Sequence, residues 1–365
     1  MFSEPRRTIG LAAILIGIAA SALMQTLLST AMPRIASELD AADAYGWVFA
    51  SYLLASTLPM PLFGHLADHR GRRTLLLWGV GGFLCGTAWV ALASSGAALV
   101  AARVVQGVGA AALVPAALGA VGDLAGSRRG RFFGAVGIIQ VVANVAGPLL
   151  GGWFTDGPGW RLGFWVVVPV GLLAMAAAAI GVPNTARSSW PDAWRSLDLL
   201  EPVRTVVGDP VMRRICGGAC LAGAVLMVAT VYLPFLVQAR FGGSATDSSA
   251  ALIALMAGVG VGSMLGGRAA DRRSQLVGRA SWVAIGVGCC GLVVLSVVPA
   301  GTIWLAAASG VIGVGVGTVM PLLLVRAQVL GGETATARAS TVVQLARNLG
   351  GAVGTVLLGL FVATG

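Results

Sequence analysis

The sequence predicts an all-α membrane protein of eleven spans, arranged as two pseudo-symmetric helical bundles. Three observations predict it: an apolar excess, a series of charge-free runs of membrane-crossing length, and an internal repeat at an offset of 203 residues. Of the 365 residues, 57% are hydrophobic and 10% charged, against about 45–50% and about 25% in a soluble domain. A soluble core of this size cannot hide so many apolar side chains, and 53 glycines suit helices that approach closely in lipid. The composition excludes most soluble enzymes, disordered tails and disulfide scaffolds.

A helix crosses the hydrocarbon with about 20 apolar residues. Charge-free runs place spans near 8–32, 46–67, 74–94, 98–122, 132–154, 162–182, 215–237, 247–267, 280–298, 302–325 and 337–363. The first run is too long for a signal-peptide core and reads as a span. Ser94-Ser95-Gly96 separates the third span from the fourth, and Pro299-Ala300-Gly301 divides the run from Ala280 to Val325. The segment 183–214 carries Trp194, Leu197, Leu200 and Val203 at helical spacing among mixed charges, which predicts an amphipathic linker on the inner membrane surface. The expected organisation is an N-terminal bundle 1–182, this linker, and a second bundle 215–365.

The net charge of +10 comes from 24 arginines and no lysine. They cluster between apolar runs, which excludes nucleic-acid binding and points to cytoplasmic loops. With the N-terminus inside, nineteen arginines fall on inner segments, three (Arg34, Arg161, Arg240) on outer ones, and Arg103 and Arg347 within spans. The expectation is a multi-pass protein of the plasma (inner) membrane, its N-terminus cytoplasmic. Trp47, Trp153, Trp160 and Trp304 fall near outer ends, where interfacial aromatics belong.

The stretch Gly64-His65-Leu66-Ala67-Asp68-His69-Arg70 recurs as Gly267-Arg268-Ala269-Ala270-Asp271-Arg272-Arg273, and Gly147 and Gly151 map to Gly350 and Gly354 at the same offset. The offset covers six spans, so both copies point the same way. That is a parallel repeat about an axis along the membrane normal, as in secondary transporters. The sixth span maps to about 365–385, so a twelfth span is expected where the sequence stops. A fragment of a twelve-helix protein is the expectation, with a natural eleven-span form as its alternative.

Several motifs carry a resemblance. Gly64 to Arg73, with Asp68, Arg70, Gly71, Arg72 and Arg73, resembles the inner-loop signature of the major facilitator superfamily. Arg103-Val104-Val105-Gln106-Gly107-Val108-Gly109 resembles its fourth-span motif. Gly147-Pro148-Leu149-Leu150-Gly151-Gly152 resembles the "antiporter" motif of the fifth span, and Trp160-Arg161-Leu162-Gly163-Phe164 the entry to the sixth span of drug exporters. The resemblance implies export of small amphipathic compounds by alternating access, driven by proton antiport, in a monomer within the lipid bilayer. It also implies an inner gate at Gly64, Asp68, Arg70, Gly71, Arg72, Arg73 and Asp271, and a packing hinge at Gly147, Pro148, Gly151 and Gly152. An anion or metabolite carrier of the same fold, or a truncated protein that does not transport, is the alternative.

The expected substrate cavity carries the polar residues Gln25, Arg103, Gln106, Gln140, Asn144, Gln344, Arg347 and Asn348, with Met24 supplying soft apolar contact. A central arginine costs about 2.5–3.5 kcal/mol on insertion scales, so it faces a wet cavity or a partner. None of the fourteen acids lies in the middle of a span, and Met24 stands where related exporters often carry Asp. An acid-free centre with two arginines favours neutral or anionic substrates. No metal, cofactor or catalytic set is expected. His65, Asp68 and His69 lack a further ligand, the five cysteines sit in or beside apolar runs, and Gly258-Val259-Gly260 lies inside a span with no strand before it.

Overall fold

A computed structural model describes residues 4–125, 129–183, 208–240, 242–269, 274–297 and 302–364. Every regular element among them is helical, as hydrocarbon demands of a backbone that must satisfy its own hydrogen bonds. The helices are α1 (Glu4–Glu38), α2 (Tyr45–Thr57), α3 (Met60–Arg70), α4 (Arg72–Leu92), α5 (Gly96–Ala125), α6 (Arg129–Asp156), α7 (Trp160–Gly181), α8 (Pro210–Phe235), α9 (Ala245–Ala269), α10 (Ser274–Val297) and α11 (Thr302–Thr364). A 3₁₀ turn precedes α2 and a π-helical turn, Leu236–Arg240, follows α8. Among the described residues, eleven segments are long and apolar enough to cross a membrane.

Three elements differ from the sequence expectation. The second span is broken into α2 and α3 at Leu58-Pro59, because a proline inside a helix lacks the N–H that would bond four residues back. The tenth and eleventh spans are joined in one helical element, α11. Its residue Leu323 packs near Gly218 of α8, and its residue Gly350 packs on Cys220 of the same turn. A straight helix would separate Leu323 from Gly350 by about 40 Å, so the chain doubles back between them as two antiparallel crossings. α8 begins at Pro210, earlier than expected, because Asp209 accepts a hydrogen bond from the Val211 N–H (2.7 Å) and Pro210 suits the first helical position. The expected linker falls mostly on residues outside those described, as does Asp271.

The apolar cores form two clusters. One gathers Leu27, Leu28, Met32, Phe83, Leu113 and Phe164 from α1, α4, α5 and α7. The other gathers Ile215, Ala219, Leu252, Leu255, Ile312 and Val316 from α8, α9 and α11. Glycines set the tightest crossings: a methyl at Gly109 would meet Phe83 N at 2.2 Å, and one at Gly313 would meet Leu255 O at 2.1 Å. Such crossings gain dispersion contact where no hydrophobic effect separates helix from lipid.

The two clusters meet unevenly. Counting crossings from Glu4 defines an N-terminal face and a far face. Near the far face, Gly46 of α2 lies against Thr355 and Gly359 of α11, and Gly152 of α6 lies against Thr246 and Ser249 of α9. The Tyr45 hydroxyl donates to Val231 O (3.3 Å), and Val231 and Ala352 are absorbed into the first core. α3, which completes the second span toward the N-terminal face, instead packs on α4 and α5 of its own half.

Candidate substrate pathway between the bundles

Arg103 of α5 is fully buried inside the first bundle, about two turns from the far-face end of its helix. Its Nε donates to Val48 O of α2 (3.2 Å), one terminal nitrogen donates to Gln25 Oε1 of α1 (3.1 Å), and the other to Gln106 Oε1. The guanidinium also lies over the Tyr52 ring, 4.0 Å from its centroid. Gln106 is fully buried and passes the chain on, its amide donating to Thr87 Oγ1 (2.8 Å), which donates to Phe83 O of α4 (2.8 Å). Tyr52 Oη lies 3.3 Å from Ser21 Oγ of α1. Four helices are thus tied through one cation, whose partners here are carbonyl oxygens and a π face rather than carboxylates.

This geometry separates the expected cavity residues. Arg103, Gln106 and Met24 have no more than 1% of their surface exposed and lie inside the first bundle. Arg103 turns inward because its donors find partners on two neighbouring helices, α1 and α2, and one turn along its own, so it has no need of a wet centre. Gln25 is half-buried and forms the rim of the network. Asn144 is half-buried and Gln140 exposed on α6.

On the opposite bundle, Gln344, Arg347 and Asn348 are all half-buried on α11. Asn348 reaches across to the first half, its amide donating to Thr57 Oγ1 of α2 (2.8 Å). Arg347 Nε donates to Asn348 Oδ1 (3.4 Å). Close packing fixes this turn: a methyl at Gly223 would meet Arg347 O at 2.0 Å.

The expected inner gate is a one-residue turn. Gly71 ends α3 and precedes α4 with φ +95°, a conformation that side-chain-bearing residues rarely adopt. The turn lets Arg72 donate to Gly119 O near the end of α5. Arg70 and Arg73 are half-buried, and Gly64 faces Pro115. Asp68 lies on α3, with its side chain outside the described residues.

The expected hinge in α6 serves as a two-sided contact. Methyls at Gly147 and Gly151 would strike Thr26 and Leu27 of α1, and one at Gly152 would strike Ser249 and Thr246 of α9. The Ser249 hydroxyl donates to Pro148 O (2.6 Å), a carbonyl on the face turned to α9.

Sequence reasoning missed the polar contacts that close the far face. Asp156, the last residue of α6, caps the start of α9: its carboxylate accepts from Ala245 N (3.0 Å), Thr246 N (2.8 Å) and Thr246 Oγ1 (2.7 Å). The carboxylate meets both the unpaired amides and the positive end of that helix. Gln238 donates to Thr30 O (2.9 Å) and to Ser248 Oγ (3.0 Å). A terminal Asp before Gly157-Pro158-Gly159 signals a cap but not its owner, some ninety positions away. A further far-face set, in which Glu38 accepts from Trp160 Nε1 (2.9 Å) and Arg161 (3.0 Å), ties α1 to α7.

Two helical bundles closed at one face, with polar side chains at their seam, define a polytopic membrane protein built like a transporter. The Major Facilitator Superfamily description matches residues 14–355, and the chain belongs to that family. It is 27% identical to the multidrug transporter protein MdtP of Bacillus subtilis (strain 168), over 98% of this chain and 75% of that protein. It is 29% identical to multidrug resistance protein 3 of the same organism, over 85% of this chain and 70% of that protein. Among solved structures, it resembles a bacterial homologue of the human lysosomal transporter Spinster in an inward-facing, occupied conformation (TM-score 0.79, 18% identity, 98% of this chain and 82% of that one). It also resembles the nucleoside transporter NupG (TM-score 0.76, 14% identity, 96% and 91% coverage). The protein is a multi-pass membrane transporter, not an enzyme.

Proposed function

We propose that the protein exports small amphipathic compounds by alternating access, with proton coupling, from a plasma membrane in which its N-terminus is cytoplasmic. The observation that carries this reading is the uneven seam: α2, α6, α8, α9 and α11 join the halves toward the far face, while α3 stays with its own half. The Arg bias supports a cytoplasmic N-terminal face, and a side left open there would admit substrate from within. The likeness to multidrug transporters supports the efflux direction.

Gln25, Asn144, Gln344, Arg347 and Asn348 would contact substrate in the seam. Arg103 and Gln106 would act behind them by holding Gln25 in place. The absence of acids from span middles leaves a cationic drug no buried counter-ion and makes Arg347 the natural partner of an anionic group. That observation favours neutral or anionic compounds, and it supports an anion carrier as the second reading. Proton coupling would then fall to a carboxylate near a helix end, such as Asp68 or Asp123.

The test uses everted vesicles with an imposed pH gradient, assayed for accumulation of cationic, neutral and anionic dyes. Accumulation of neutral or anionic dyes, collapsed by an uncoupler, is expected. Gradient-independent accumulation would remove proton coupling, and exclusive uptake of cations would overturn the substrate assignment.

A further inference from the structure

Away from the seam, the second bundle contains a cavity of about 310 Å³ between the start of α10 and the middle of α11. Its mouth is polar and basic: Gln275 and Arg279 from the first turns of α10, and Arg326 from α11, are all exposed. Its floor is apolar, with Leu322 and Leu323. Half-buried Trp282 stands between the two zones. Among the described residues, no acidic side chain lines it.

The position of this cavity limits its occupant. It lies at the N-terminal face, where α10 starts and the first crossing of α11 ends. The α10 span is the least buried of the eleven, and Leu276, Val283 and Val287 beside the cavity are 71%, 65% and 62% exposed. That flank faces hydrocarbon. A ligand entering from it must be apolar over most of its length and anionic at the level of the guanidinium groups. Arg forks match phosphate oxygens in two-point contacts, and the amides opening α10 add positive potential on the same side. Basic pockets between membrane helices at a cytoplasmic face suit such head groups.

We propose that this cavity is a binding site for an anionic phospholipid of the N-terminal-face leaflet. Arg279 and Arg326 hold the head-group phosphate, Gln275 donates to its oxygens, and an acyl chain lies over Leu322, Leu323 and Trp282. The occupant fills the gap beside a crossing of α10 and α11 that Gly288 and Gly315 already pack closely. The site is independent of the transport pathway and does not rest on the direction or substrate of transport.

The experiment compares the full chain in nanodiscs of phosphatidylcholine alone and of phosphatidylcholine with phosphatidylglycerol, reading thermal unfolding and, after release into detergent, lipid retained by native mass spectrometry. The expected result is a higher midpoint with phosphatidylglycerol and at least one retained molecule. Both are lost in the Arg279→Gln, Arg326→Gln double variant and kept in Arg34→Gln, an exposed far-face control. Inorganic phosphate added to phosphatidylcholine discs is expected to have no effect. An equal shift from phosphate would overturn the lipid assignment, as would an undiminished shift in the double variant. Should that variant not fold, wild-type protein that retains no phosphatidylglycerol overturns the proposal on its own.

Discussion

The Arg103 network sets different roles for residues that look alike in the sequence. Gln106 and Gln25 both accept from the guanidinium, yet only Gln106 is fully buried. Truncating a partner of a buried charge costs about 3–5 kcal/mol when nothing replaces it. Water can replace Gln25 at the rim but not Gln106. Gln106→Leu is therefore expected to lower the unfolding midpoint in detergent far more than Gln25→Leu does. Equal losses would mean that both amides are equally accessible. Arg347 is expected to behave differently, because it sits at the seam. Arg347→Gln should leave the midpoint nearly unchanged while reducing transport of anionic dyes at least tenfold relative to neutral ones. Arg103→Lys should destabilise, since an ammonium cannot make all three hydrogen bonds, to α1, α2 and Gln106 of its own helix, and still cover the Tyr52 ring.

At the scale of elements, the interlocking of α6 and α9 should control the far-face closure. Asp156→Asn removes the charge facing the start of α9, and with it part of the cap. Spin labels at Ser94 and Trp304, on the far-face ends of the two halves, are expected to move apart in that variant, in a background lacking the five cysteines. An unchanged distance would assign closure to the glycine contacts alone. Gly223→Ala offers a second check. Its methyl would meet Arg347 O at 2.0 Å, so the α8–α11 crossing must open and transport should fall sharply.

Helices of this kind are easily read from sequence, because length and lack of charge decide whether a segment crosses lipid. The eleven spans accordingly stand out. The break at Pro59 was a local signal that hydropathy averages away. The side-chain site was much less legible. That α11 carries Gln344, Arg347 and Asn348 on one face follows from helical spacing, but the Thr57 partner of Asn348 lies 291 positions away. Arg103 looked like a cavity residue because an intramembrane charge demands a partner. Gln106, one turn along the same helix, meets part of that demand, but the Gln25 amide, the Val48 carbonyl and the Tyr52 ring come from other helices and no local pattern announces them.

At the scale of the whole molecule, far-face contacts hold the two bundles together. If these are one of two states, closing one face must open the other, because each packed bundle moves as a rigid unit about the shared seam. The most direct measurement is a pair of distances by pulsed electron resonance on the protein in nanodiscs. One pair of labels, at Thr8 and Arg214, reports the N-terminal face, and the other, at Ser94 and Trp304, the far face. On adding a transported dye under a pH gradient, the first distance is predicted to shorten as the second lengthens. Distances that change in the same sense, or a far-face distance that stays fixed throughout active transport, would contradict alternating access by this fold.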